Sequence, residues 1–400
     1  MAVKMKTESG IIDSNAVTPL HVPEIHGNEW KYVKECLDTG WVSSVGPFVE
    51  RFEKDLAKFV GTKFAVATVN GTAAIHVSLM VAGVRADDEV LVPSLTFIAP
   101  ANAVRYIGAW PVLIDVERKH WQMDADKTID FLENKCVWRD NALYNKSTGR
   151  RVKAILPVHI LGNPVDMDPI LAAAKKYNLA VIEDATESLG AKYKGRLLGT
   201  LGGIASFSFN GNKIITTGGG GMIVTDNEEW ARKAKYLTTQ AKDDPIEYVH
   251  NETGYNYRLT NLLAAVGCAQ LEQLPEFILA KRRTAANYLK ALSGIPGITP
   301  MAEAEWAYST FWLFTILVDP KVYGMDSRAL MQKMSRANIQ TRPLWQPLHR
   351  SPSLANCGHF DCPVADDLNR MALSLPCSVG LKDEEFQRVI DVLTENKNAK

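Results

Sequence analysis

The chain has 400 residues, enough for a large core and two units, and its 45 basic and 45 acidic side chains cancel. No long run of one sign occurs, which excludes the footprint of a nucleic-acid or anionic-membrane binder and leaves small molecules or a second copy as partners. Met1 to Ala16 lacks the apolar centre of a signal peptide, no later run reads as a bilayer span, and the six cysteines are scattered, so a reducing cytoplasm is expected.

Short apolar runs alternate with amphipathic stretches from position 64 to 225. The runs are Phe64 to Val69, Glu89 to Pro93, Pro111 to Val116, Ala154 to His159, Ala180 to Asp184, Ile204 to Phe209 and Gly220 to Thr225. Several are rich in valine and isoleucine without polar alternation, the pattern of strands buried on both faces of a mainly parallel sheet. Helices belong between many of them, which makes this an α/β sheet domain. One helix start is marked by Asp168 as cap and Pro169 at the first helical position, continuing through Ile170 to Tyr177. From about Leu271 the texture becomes charged and helical, with an apolar strand at Thr310 to Val318 and a helix near Arg328 to Arg336. This reads as a smaller α+β unit. The expected division is an arm over 1–20, a large domain over 21–270 and a small domain over 271–400.

In an open α/β sheet, ligands bind outside the carboxyl ends of the strands, so the residues following each run carry the chemistry. After the first run, Asn70-Gly71-Thr72-Ala73-Ala74 opens an apolar helix, a place where unpaired N–H groups and the helix dipole attract phosphate; a plain strand-to-helix turn reads equally well. After the second, Ser94-Leu95-Thr96-Phe97 presents an aromatic that could stack on a flat ring or belong to the core. His159 closes the fourth run, facing the same edge or serving a structural role. Ala180 to Asp184 ends in two carboxylates, costly unless compensated. A protonated pyridine nitrogen would compensate Asp184, and Glu187 is near enough to reach the same pocket. The sixth run leads through Ser208, whose hydroxyl suits a phosphate, to Lys213 and the glycines Gly218 to Gly221. Such a lysine is either a Schiff-base former toward an aldehyde such as pyridoxal phosphate, or a surface side chain beside a hairpin. Cys357-Gly-His359-Phe-Asp-Cys362 supplies at most three soft ligands, so no metal is expected.

The order of Asn70 to Ala74, Pro93 to Phe97, Glu183-Asp184-Ala185, Ser206 to Phe209, Lys213 with its Thr-Thr-Gly tail and Gly254 to Asn261 resembles the DegT/DnrJ/EryC1/StrS aminotransferases. The resemblance runs from about residue 20 to 390. It implies the aspartate-aminotransferase fold (type I), with a seven-stranded, mainly parallel sheet between helices, and a homodimer with active sites at the interface. It makes Lys213 the covalent anchor of pyridoxal 5'-phosphate, pairs Asp184 with the pyridine nitrogen and packs Phe97 on the ring. Thr72, Ala73 and Ser208 would hold the phosphate, Glu187 would lie near the cofactor hydroxyl, and Asn256 would reach in from the neighbouring subunit. His159, Tyr308, Trp345 and His349 are candidates for contacts with the sugar. The implied reaction moves an amino group from L-glutamate to a keto sugar nucleotide for bacterial surface glycan. Glu187, the Phe-Asn-Gly-Asn-Lys segment and the four glycines most resemble the subgroup acting at C4 of UDP-linked 4-keto-6-deoxy sugars. The alternatives are a 3-keto sugar nucleotide, a sugar dehydratase using the same cofactor, and a non-catalytic regulatory binding protein. Histidine in place of Lys213 would mark the dehydratase.

Overall fold

A computed structural model describes residues 17–244 and 246–395, so most of the expected arm over 1–20 lies outside the described residues. All seven apolar runs form strands of one sheet. Across it they run Phe64–Thr68, Gly221–Thr225, Ile204–Ser208, Ala180–Asp184, Arg151–Ile155, Glu89–Pro93 and Trp110–Ile114. Neighbours are parallel except Gly221–Thr225, which is antiparallel to both of its partners. The fourth strand begins earlier than expected, at Arg151, and its regular pairing stops at Ile155 ahead of Pro157, which has no N–H to give; past the proline a parallel bridge of Val158 to Asp184 carries the run to His159.

Three peripheral strands bring the sheet to ten. Gly358–Phe360 lies parallel beside Trp110–Ile114, and the hairpin Cys136–Arg139 with Ala142–Asn145 pairs antiparallel with Arg151–Ile155. These strands are short, and Val137 and Trp138 are exposed, so neither shows an unbroken apolar run.

Alternate strand residues feed two cores. Ala205, Phe207, Met222 and Val224 pack with Phe52 and Leu56 from helix Pro47–Val60 and with Leu271 and Leu274 from helix Asn261–Leu292. Ile182, Ile204 and Ile223 pack on the other face with Ile75, Val77 and Leu79 from helix Gly71–Val81. Helix Met167–Lys176 starts earlier than read from the sequence, with Asp166 at the N-cap. Pro169 is therefore its third residue, where a missing N–H is still harmless. Asp168 instead forms an exposed ion pair with Lys194.

The 32-residue helix Asn261–Leu292 runs without a break through the boundary expected at 270. By length and composition it is apolar enough to cross a bilayer, contrary to expectation, but it packs along helices Glu29–Thr39 and Pro47–Val60 and buries Ala264, Cys268, Leu271 and Phe277 there. Beyond it, Ile298–Pro300, Phe314–Val318 and Ala372–Leu375 form a three-stranded antiparallel sheet. Helices Ser327–Arg336 and Asp383–Thr394 cover it through Leu330, Met334, Val389 and Leu393. All six cysteines are free and buried.

Candidate active site

The strand ends converge on a cavity of about 370 Å³. Thr72, Phe97, Asp184, Glu187, Ser208, Lys213 and Trp345 line it, together with Asn70, Gly71 and Thr186. Helix Gly71–Val81 starts at this cavity because Asn70 caps it, its side chain accepting from the amide of Ala73 at 2.8 Å. The Ala73 amide is thereby engaged, and Ala73 is buried away from the lining, so it is Gly71 and Thr72 that bring amides without intrahelical acceptors to the cavity. Glycine at 71 is required by packing: a Cβ there would lie 2.7 Å from Cβ of Ser208 and 3.2 Å from Cγ2 of Thr186. The helix start, the Ser208 hydroxyl and Thr186 therefore form one small cradle, suited to a phosphate.

Asp184 is 2% exposed, and its carboxylate accepts from the amide of Thr186 at 3.1 Å. Burial pushes its carboxyl above the usual range, and neither the bond from Thr186 nor the charge of Lys213 reverses that. Glu187 is buried as well, and burial raises its carboxyl despite Lys213 and the Leu161 amide. One Glu187 oxygen accepts from Leu161 N–H at 2.9 Å and the other lies 3.5 Å from Nζ of Lys213. Lys213 extends from a turn closed by its own N–H donating to the Asn210 carbonyl at 2.9 Å. Its Nζ lies 4.1 Å from the centre of the Trp312 ring.

The remaining candidates fall elsewhere. His159 is fully buried behind the cavity wall: the Val165 amide donates to its Nδ1 at 3.1 Å, leaving the proton on Nε2, 3.2 Å from Glu183. Tyr308 lies beneath the guanidinium of Arg282, 4.0 Å from its ring centre. His349 contacts Asp366 through Nε2 at 3.1 Å. Asn256 is exposed and outside the cavity of its own chain. Trp312, Thr186, Asn210 and Asn212 line the cavity and were not anticipated.

The model of the DegT/DnrJ/EryC1/StrS aminotransferase family matches residues 23–394. The chain belongs to that family. GDP-perosamine synthase of Caulobacter vibrioides is 40% identical over 374 residues, covering 93% of this chain and 96% of that one. GDP-perosamine synthase of Escherichia coli O157:H7 is 36% identical over 377 residues, covering 94% and 98%. Among solved structures, S. venezuelae DesV in complex with a ketimine intermediate has a TM-score of 0.82 at 30% identity, over 92% of this chain and 94% of that one. This aminotransferase thus has the type I fold and uses pyridoxal phosphate.

The residues present fit that cofactor. Asp184 is a deeply buried carboxylate that calls for a cation, the Gly71–Ser208 cradle is open to an anion, and the amine of Lys213 stands in the same cavity.

Proposed function

We propose that this sugar aminotransferase transfers an amino group from L-glutamate to C4 of a GDP-linked 4-keto-6-deoxy sugar, on a route to surface glycan. The observation that carries the reaction is the convergence of Lys213, Glu187 and Asp184 on one cavity. The preference for GDP over the UDP expected from sequence is supported by the two relatives of 40% and 36% identity named as GDP-perosamine synthases. Bound pyridoxal phosphate supplies an electron sink for the carbon that gains or loses a proton.

The chain's own residues supply the rest. Lys213 would anchor the cofactor, and its amine, once released, would take the proton from the donor α-carbon in one half of the reaction and deliver one to the sugar carbon in the other. Glu187, 3.5 Å away, keeps that amine directed into the cavity. Asp184, buried in the cavity wall, would pair with the ring nitrogen and favour its protonated form. Gly71, Thr72 and Ser208 bind the phosphate, and Phe97, 54% exposed, covers the ring. Trp345 walls the sugar.

The protein acts as a homodimer in this reading, with Asn256 serving the neighbouring site. Asn256 is exposed outside its own cavity, and Trp30, Leu37, Trp41 and Val45 leave an apolar surface uncovered, which supports association with a second copy. Mixing Lys213→Ala with Asn256→Ala subunits is expected to restore part of the activity that each variant lacks alone. For the substrate, purified protein is incubated with glutamate and GDP- and UDP-linked sugars carrying the ketone at C3 or C4, and the amino sugar is read by mass spectrometry. Conversion confined to a UDP-linked or a 3-keto sugar would refute the assignment.

A further inference from the structure

Segments far apart in sequence close a ring of contacts around the Lys213 amine. Glu187 bridges Lys213 and the Leu161 amide. The next carbonyl, that of Gly162, accepts from the Thr310 amide at 3.1 Å and the Ser309 hydroxyl at 2.9 Å. Two residues beyond Thr310, Trp312 places its ring 4.1 Å from Lys213 Nζ and donates its indole N–H to the Asn212 carbonyl at 2.7 Å. Asn212 immediately precedes Lys213, so one side chain grips both the amine and the backbone that carries it.

The loop bearing Trp312 is itself held rigidly. Gly162 has φ +86°, and a Cβ there would come within 2.8 Å of the Trp312 amide nitrogen. Phe311 sits at φ 48°, a left-handed conformation that a bulky residue adopts only when its surroundings impose it. From the long helix, the fully buried Lys281 donates to the Trp312 carbonyl at 2.8 Å and also to the Cys377 carbonyl. Burying an ammonium against carbonyls is costly, and here it anchors the loop beneath Trp312.

We propose that Trp312 is a positioning residue that fixes the reactive amine. Its ring attracts the Lys213 ammonium, and its indole N–H pins the Asn212 peptide, so a side chain with four rotatable bonds holds its nitrogen at one place. This proposal rests on the reading of Lys213 as the reactive amine. Misplacing such a group by about 1 Å costs about 100-fold in rate.

The test uses the full-length protein with Trp312→Leu, which removes the ring, and Trp312→Phe, which keeps a ring but loses the donor. In the cofactor-free protein, limited acetylation followed by mass spectrometry reads the rate at which Lys213 is labelled. Trp312→Leu is expected to raise that rate about fivefold, and Trp312→Phe by less. In the loaded enzyme, Trp312→Leu should lower kcat about 10- to 100-fold with the KM for glutamate little changed. Combined with Lys213→Ala and rescued by methylamine, Trp312→Leu should cause no further loss, because the amine it positions is gone. Unchanged labelling of Lys213 in Trp312→Leu, or an equal rate loss in the amine-rescued background, overturns the proposal. Should Trp312→Leu fail to fold, unchanged labelling and unchanged kcat in Trp312→Phe overturn it instead. If Lys213→Ala turns over without added amine, the reading of Lys213 itself falls.

Discussion

Glu183 and Asp184 are consecutive residues at the end of one strand, both almost wholly buried, yet they occupy opposite electrostatic situations. On one sheet face, Glu183 accepts from the amides of Gly199, Leu201 and Gly202 at 2.9, 2.7 and 2.6 Å, and His159 Nε2 adds a fourth contact. Desolvation would raise its carboxyl, but His159 and these amides outweigh burial and hold it below the usual range. On the other face, Asp184 is met by Thr186, through its side chain and its amide, and burial prevails. A carboxylate with its acceptor sites filled is part of the scaffold, whereas a buried one left short of partners awaits a cation from outside. Strand parity alone separates the two roles.

The largest effect expected is on chemistry without any effect on the scaffold. Lys213→Ala should lower kcat by about 10⁴-fold or more and abolish borohydride trapping of the cofactor, with thermal unfolding little changed. Asp184→Asn keeps the shape and removes the charge, so turnover should fall about 100-fold while the cofactor-free protein unfolds no earlier than wild type. Glu183→Gln should show the reverse. It places an amide against donors, costing about 2–4 kcal/mol in unfolding while kcat per folded molecule stays within about threefold. Loss of activity without loss of stability in Glu183→Gln would break the contrast.

The smallest effect concerns pH. Asp184 and Glu187 have raised carboxyls in the fold, so the folded protein keeps protons that the unfolded chain releases. Their stabilising contribution is complete below about pH 4 and is lost as pH rises through the folded values. The melting temperature of cofactor-free wild type should therefore decline more steeply with rising pH than that of Asp184→Asn. Parallel curves between about pH 4 and 8 would contradict the buried, uncompensated state of Asp184.

The central sheet was legible because strands covered on both faces carry unbroken apolar runs, and each of the seven runs overlaps a strand, the fourth only in part. The hairpin at 136–145 was not, since its residues are half in solvent and carry no such pattern. The cavity was legible as far as strand ends define it, which located Thr72, Phe97, Asp184, Glu187, Ser208 and Lys213. His159 was left open between the cavity edge and a structural role, because the end of a strand does not say which face a residue takes, and its buried bonds are those of the structural role. Its neighbour Val158 lines the cavity, and parity would have turned His159 away. Trp312 carried only the signal of the apolar run Thr310 to Val318, whose strand begins later, at Phe314. Trp312 arrives from the segment beyond the long helix through the pairing of Thr310 with Gly162, a tertiary contact that no short-range pattern encodes.

Placing Gly221–Thr225 between Phe64–Thr68 and Ile204–Ser208 has a consequence for the order of assembly. Phe64 finds its ladder partner in Thr225, so the first strand leaves the ribosome long before the strand that will hold it. Closing so long a loop makes this a late and slow event in folding, and the glycine at 221, where a Cβ would lie 2.4 Å from the Asn70 carbonyl, seats the latecomer against the helix start. A nascent chain halted at residue 220 would already contain the phosphate turn and the lysine but not the strand that pairs with both Phe64–Thr68 and Ile204–Ser208. The cofactor can then add its binding energy only to the finished fold.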